Sequence, residues 1–295
     1  MLNINKELKK YNIVPQKYII KNNVIIVKTN NKSYVFKKNN NKEIYDYLNT
    51  VSFNYYPQVL SENEDEYEIT EYIEETILPS EQKIQDLIEL VSILHNKTSH
   101  FKQITEDDIK KIYEDISNNI DYLISYYNDL MTIIEEKVFA SPPEYLLARN
   151  ISKVFNSLNF CKQQLNNWFQ KYKDKKTKRV VLIHNNLSID HFIDTTSPYL
   201  ISWNKSKIES PIYDLYKLYK KYSLDYNFTE LLKKYEKKNQ LDSSEKELLY
   251  ILISLPDKIE FNTTNYQMSI KISDFIDELY KTEELISPYY LKNTE

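Results

Sequence analysis

VVLIHNNLSIDHFIDTTSPYLISWN, residues 180–204, is the stretch whose reading decides the fold. Residues 180–183 form an apolar, β-branched run that predicts a short strand. A polar turn comes next, carrying His184, Asn186, Asp190 and His191. Phe192 and Ile193 predict a second strand, and residues 199–203 a third. Two of the chain's 4 histidines stand here, so the groups able to do chemistry are densest in this turn.

The composition sets bounds on what surrounds it. A chain of 295 residues is long enough for a small lobe and a larger one. A hydrophobic content of 41% supports a buried core, and 28% charged residues keep the surface polar. The net charge of −4 gives no bulk attraction to nucleic acid or to an anionic membrane. Cys161 is the only cysteine, so no internal disulfide forms. Nothing reads as a signal peptide or a membrane span, and a cytoplasmic protein is expected.

Glycine is absent, with 0 residues, where average usage of about 7% predicts roughly twenty. Alanine and arginine are scarce too, and a genome rich in A and T accounts for all three shortages. Positive φ then falls to asparagine, the next best residue for it. Asparagine stands where turns are expected: Asn22-Asn23, Asn30-Asn31 and Asn39-Asn40-Asn41. Every glycine-rich nucleotide motif is excluded.

Upstream, residues 1–75 predict a small β-rich lobe. Residues 5–11 suit a short helix, and 18–20, 24–28 and 33–38 suit strands. Residues 29–32 form a hairpin turn in which asparagine supplies the left-handed conformation. A short helix over 42–50 carries Glu43. Residues 57–60 and 67–72 predict a strand pair, and 71–75 connect this lobe to the helices beyond it. From Pro79 the pattern is helical. Ser80 suits the cap of a helix to about 96. Thr105 with Asp108 opens a second helix to about 136. Ser141-Pro142-Pro143-Glu144 opens a third to about 172. Residues 171–179 read as a solvated basic loop. After the central stretch come helices near 212–222, 228–238, 244–255 and 270–281. The domain reading is 1–75 for the first lobe and 76–295 for the second.

Six segments in this order resemble the aminoglycoside phosphotransferase and choline kinase group of protein-kinase-like folds, and within it the bacterial spore-coat branch. Tyr34-Val35-Phe36-Lys37 resembles the strand with the phosphate-binding lysine. Glu71-Tyr72-Ile73-Glu74 resembles the hinge, and residues 94–99 the end of the first large-lobe helix. Residues 182–187 resemble the catalytic loop, and 201–204 the metal-binding segment. Pro211-Ile212-Tyr213-Asp214-Leu215 resembles the helix start that braces the loop. The resemblance implies an α+β, protein-kinase-like bilobal fold, with a small β-rich N-lobe and a larger, mainly helical C-lobe. It implies Lys37, Glu43, Glu71 and Ile73 on the nucleotide side, with Glu43 as the ion-pair partner of Lys37, and with ATP and magnesium as cofactors of an active enzyme. It implies His184 and Asp214 as braces of the loop.

The family's chemistry is mostly positioning and charge neutralisation. It uses a loop aspartate as base, and an asparagine and a second aspartate as magnesium ligands. Laid over this chain, those positions hold Asn186, His191 and Ser202. A neutral amide is no base. Imidazole and hydroxyl are poor ligands for a hard cation. The resemblance therefore implies a pseudokinase with a structural or binding role, in a spore coat and with coat or scaffold proteins as partners. The alternative is a divergent ATP- and magnesium-dependent phosphotransferase acting on a small hydroxyl- or amino-bearing molecule. Replacement of the lost carboxylates by Asp190 or Asp194 requires an altered loop path. The pair Asp190 and His191 is read as a strand, with its two side chains on opposite faces. His95 and His100, at a helix end, read as structural.

Overall fold

The computed structural model describes residues 4–21, 24–38, 41–195 and 197–292. In chain order the elements are α1 (Asn5–Lys10), β1 (Lys17–Lys21), β2 (Val24–Lys28), β3 (Ser33–Lys38), α2 (Lys42–Thr50), β4 (Tyr67–Glu71), α3 (Ser80–Thr98), β5 (His100–Gln103), α4 (Glu106–Glu135) and α5 (Pro142–Tyr172). Then come β6 (Thr177–Ile183), β7 (Phe192–Ile193), β8 (Tyr199–Leu200), β9 (Lys207–Glu209), α6 (Ile212–Tyr222), α7 (Phe228–Glu236), α8 (Ser243–Ser254) and α9 (Asn265–Lys292). They group into two compact units. One takes in residues up to 99, 181–209 and 237–239; the other takes in 100–180, 210–236 and residues from 240 on.

In the first unit β1, β2, β3 and β4 form an antiparallel sheet in that order. Period-two alternation gives it two faces. Ile25, Val27, Phe36, Tyr67 and Ile69 pack with Ile4, Leu8 and Ile13 into a buried core. Cross-strand partners share a face, so Val24, Lys37 and Glu68 lie together on the other one, beside Ile26, Val35 and Thr70. The hairpin between β2 and β3 is closed by Thr29. Its N–H donates to the Lys32 carbonyl at 2.9 Å, and its hydroxyl does so at 2.7 Å. Among the described residues positive φ occurs at Asn12, Ser52, Asn185 and Ser202, so Asn30 and Asn31 do not supply the expected left-handed turn. Thr29 makes it unnecessary. Asn22, Asn23, Asn39 and Asn40 lie outside the described residues.

Three further expectations change in this unit. The strand over 57–60 shrinks to a bridge between Val59 and Thr70. Pro57 has no N–H with which to extend a ladder. Ser80 is the first residue of α3 rather than its cap, which is Pro79. The third strand of the central stretch stops at Leu200, and Trp203–Lys205 form a 3-10 turn.

The second unit is helical. α4 and α5, of 30 and 31 residues, pack along each other as a hairpin. Both begin where their capping residues predict. The Thr105 N–H donates to the Asp108 carboxylate at 2.8 Å, and the Ser141 N–H to that of Glu144 at 2.8 Å. α5 also packs on α8 and α9, burying Leu147, Val154, Leu158, Cys161, Leu165 and Trp168. The Trp168 indole donates to the Ser244 carbonyl at 3.0 Å. Burial pushes the Cys161 thiol up to about 12, which leaves it unreactive. The basic run 171–179 is not a solvated loop. From Thr177 it is strand, paired with β5, and three of its cations meet the acidic start of α8. Arg179 holds Glu245 at 2.5 and 2.9 Å, Lys171 holds Glu247 at 2.6 Å, and Lys175 holds Asp242 at 2.9 Å. α9 starts at Asn265, ahead of its expected residue 270. No helix among the described residues is long and apolar enough to cross a membrane.

Glu144 gives a test of this helix start. The Lys137 ammonium, donating to it, is the main cause that holds its carboxylate below the ordinary 4.5, and bonds from Ser141 add to this. A depressed folded pKa stabilises fully above the unfolded value and is lost as pH falls through the folded one. Glu144→Gln is expected to cost about 1–2 kcal/mol at neutral pH, measured by urea unfolding. The difference from wild type should shrink as the pH falls below the ordinary 4.5 and through the lower folded value.

Candidate functional site

Lys37, next to last in β3, lies directly opposite Glu68 of β4. Its ammonium lies 3.9 Å from the Glu68 carboxylate, which is buried and accepts the Tyr45 hydroxyl at 3.0 Å. Burial is the largest influence on both charges. It lowers the Lys37 pKa and raises that of Glu68, and each partner offsets the other's cost. Glu43, expected as the partner of Lys37, is exposed on α2. The strand register supplies the acid instead. Glu68 was invisible to residue spacing, because only the β3–β4 pairing brings it across from Lys37.

At the end of β4, Glu71 pairs with Lys32 at 2.8 Å. Its N–H donates to the Gln58 carbonyl at 3.0 Å, while the Tyr72 N–H donates to Ser33 of β3 at 2.8 Å. Ile73 is half-buried in the connector after β4.

The loop after β6 is held by side chains that donate to backbone carbonyls. The fully buried His184 donates from Nε2 to the Ile201 carbonyl at 2.9 Å; a carbonyl only accepts, so the proton sits on Nε2. Its ring meets Trp203 edge-on at 4.9 Å. Asn185 takes the left-handed conformation with φ 61°, and its amide donates to the Lys205 carbonyl at 2.9 Å. His191 Nδ1 donates to the backbone carbonyl of Asn186 at 2.7 Å, and the His191 carbonyl accepts from the Ile201 N–H at 2.9 Å. Asn186 itself is half-buried.

Asp190 and His191 belong to a 3-10 turn over Ile189–His191, not to a strand, so the expected opposite facing of their side chains does not apply. The carboxylate of Asp190 folds back onto the Ser188 hydroxyl at 3.1 Å. Asp194 uses its carbonyl to accept the Thr76 N–H at 2.9 Å.

Ser202 is left-handed, with φ 71° and ψ 49°. That costs a non-glycine residue about 1–2 kcal/mol. Trp203 offsets it. Its ring is fully buried against Phe53 at 6.0 Å, and its indole donates to the Leu200 carbonyl at 2.8 Å. Two further bonds fix the surroundings. The Leu182 N–H donates to the Thr98 hydroxyl at 3.0 Å, and the Leu200 N–H to the Tyr55 carbonyl at 2.8 Å. His95 is buried on α3, whereas His100 is exposed on β5. Asp214 belongs to the second unit. It is fully buried in the first turn of α6, where the helix dipole favours a carboxylate.

The residues at the implied metal positions do not fit magnesium. Ser202 offers a neutral hydroxyl, and His191 offers an imidazole already tied through Nδ1. Among the described residues no group of three or more His, Cys, Asp or Glu gathers to hold a metal ion.

Solved structures share this fold. The aminoglycoside phosphotransferase of Alicyclobacillus acidocaldarius aligns with a TM-score of 0.72 over 97% of this chain and 94% of that one, at 10% identity. Spectinomycin phosphotransferase in its AMP complex aligns with a TM-score of 0.54 over 98% and 92%, at 14% identity. Its complex with ADP and spectinomycin aligns with a TM-score of 0.54 over 95% and 97%, at 13% identity. No protein-family model matches the sequence, and no curated protein does. The chain therefore has the α+β, protein-kinase-like bilobal fold seen in aminoglycoside phosphotransferases, as its six ordered segments implied.

The strain at Ser202 is directly testable by thermal unfolding. Ser202→Gly and Ser202→Asp are expected to be neutral within about 1 kcal/mol, because both residues accept the left-handed region. Ser202→Val is expected to lose about 1–3 kcal/mol.

Proposed function

We propose that this chain is an aminoglycoside phosphotransferase-like pseudokinase, which keeps the loop frame of a phosphoryl-transfer site and works by binding rather than by transfer. The observation that carries this reading is the loop itself. Asn186, His191 and Ser202 stand where the resemblance places a base and two metal ligands. His191 is spent on closing the loop through Nδ1. With neither an anionic base nor anionic metal ligands, the loop lacks the charge stabilisation that phosphoryl transfer needs. Loss of general-base help alone costs on the order of 10²- to 10⁴-fold.

In this reading residues 1–75 are the nucleotide-side lobe and 76–295 the helical lobe. The protein acts in the cytoplasm or on a spore coat, where its partners are coat or scaffold proteins. One observation favours a second reading. Lys37 still faces a buried carboxylate, as a working phosphate-binding lysine would. That supports a divergent phosphotransferase using ATP and magnesium on a small hydroxyl- or amino-bearing molecule.

Thermal shift separates the two. For the wild type, ATP is expected to give the same shift with and without magnesium. For the double variant Asn186→Asp with Ser202→Asp, magnesium is expected to add several degrees to the ATP shift. Magnesium-dependent ATP turnover by the wild type, abolished in Lys37→Ala, would overturn the pseudokinase reading.

A further inference from the structure

The partner of Lys37 is fixed in a way the expected helix acid would not be. β3 and β4 are hydrogen-bonded neighbours, and Lys37 and Glu68 are directly opposed in their register. Directly opposed residues on one face have Cβ atoms about 4.5–5.5 Å apart, whatever the helices around them do. An acid on α2 would leave the lysine whenever that helix shifted. A cross-strand acid keeps its Cβ beside that of the lysine for as long as the ladder holds.

The surroundings of the pair point the same way. Glu68 is 3% exposed and Tyr45 is 3% exposed, so their 3.0 Å bond is sealed from water. Tyr45 comes from α2, the element that carries the exposed Glu43. Asn41, just ahead of α2, also bonds to Glu68. The helix therefore acts on the carboxylate, and the carboxylate acts on the lysine.

We infer that Glu68, reaching across from β4, is the residue that positions Lys37 for a phosphate-bearing ligand, and that Tyr45 positions Glu68. The ligand half of this inference rests on the reading of the Lys37 face as the nucleotide side; the positioning half does not. Its consequence is that the sheet keeps the acid beside the lysine, and α2 acts on that acid through Tyr45.

Two measurements test the halves separately. The first is the titration of Lys37, followed by NMR on protein labelled with ¹³C at the lysine ε-carbon. Glu68 is the group that raises the Lys37 pKa against burial. Glu68→Gln is therefore expected to shift the titration of Lys37 to lower pH, with Tyr45→Phe moving it less and Glu43→Gln leaving it in place. A Lys37 titration that follows Glu43 and ignores Glu68 overturns the positioning role. The second is the affinity for ATP without magnesium, by calorimetry. Glu68→Gln is expected to weaken it about ten-fold, Glu68→Asp to recover part of the loss, and Glu43→Gln to change nothing. ATP affinity unchanged in Glu68→Gln overturns the ligand half. Absence of ATP binding in the wild type, with the titration still following Glu68, overturns the nucleotide reading and upholds the positioning role.

Discussion

The hydrogen bond from His184 Nε2 to the carbonyl of Ile201 ties the end of β6 to the segment just before Ser202. It adds to the Trp203 packing that holds Ser202 in the left-handed region. The bond lies beside the Trp203 ring, so the imidazole is both a donor and a wall. Trp203 then reaches Phe53, and Leu200 reaches Tyr55, which joins the stretch after α2 to the loop. Thr98 closes the other side by accepting from Leu182 while donating to the carbonyl of Leu94. A buried polar network of this kind is costly when incomplete.

This frame explains how the loop keeps its shape with neutral side chains at Asn186 and Ser202. His191 binds the backbone carbonyl of Asn186, not its side chain. Ser202 contributes its backbone conformation. Asn185 supplies the other left-handed residue, a role that asparagine fills well in a chain without glycine. The shape of the loop is thus set by His184, by the His191 imidazole and by backbone carbonyls, and it needs no carboxylate at residues 186 and 202. Carboxylates can be lost from such a site without loss of the fold.

Much of the fold was legible because its signals are local. The β2–β3 hairpin, α2, α6 and the capped starts of α4 and α5 follow from alternation, helical spacing and cap residues. The short strands β5 and β9 were not legible. His100, Phe101, Lys102 and Gln103 are all exposed, so no apolar period marks them. The basic run ending in Arg179 looked solvated because its acids stand on α8, some sixty-six residues on in the case of Glu245. The turn at Thr29 resembled an asparagine turn, but its hydroxyl closes it. At the site, the strand ending at Ile183 and the polar turn that carries His184 follow from the apolar run over residues 180–183. Glu68 was not legible, since register is a tertiary fact and α2 offered a nearer acid.

On the proposed reading, the loop frame survives while the capacity to hold a divalent cation with nucleotide is gone. Electron paramagnetic resonance of Mn²⁺, titrated into the wild-type protein with ATP, reads that capacity directly. Free Mn²⁺ and Mn²⁺ bound to ATP alone should account for the whole signal, with no protein-dependent species, while Asn186→Asp with Ser202→Asp produces one. A protein-bound Mn²⁺ and nucleotide species at one per wild-type chain would contradict the account.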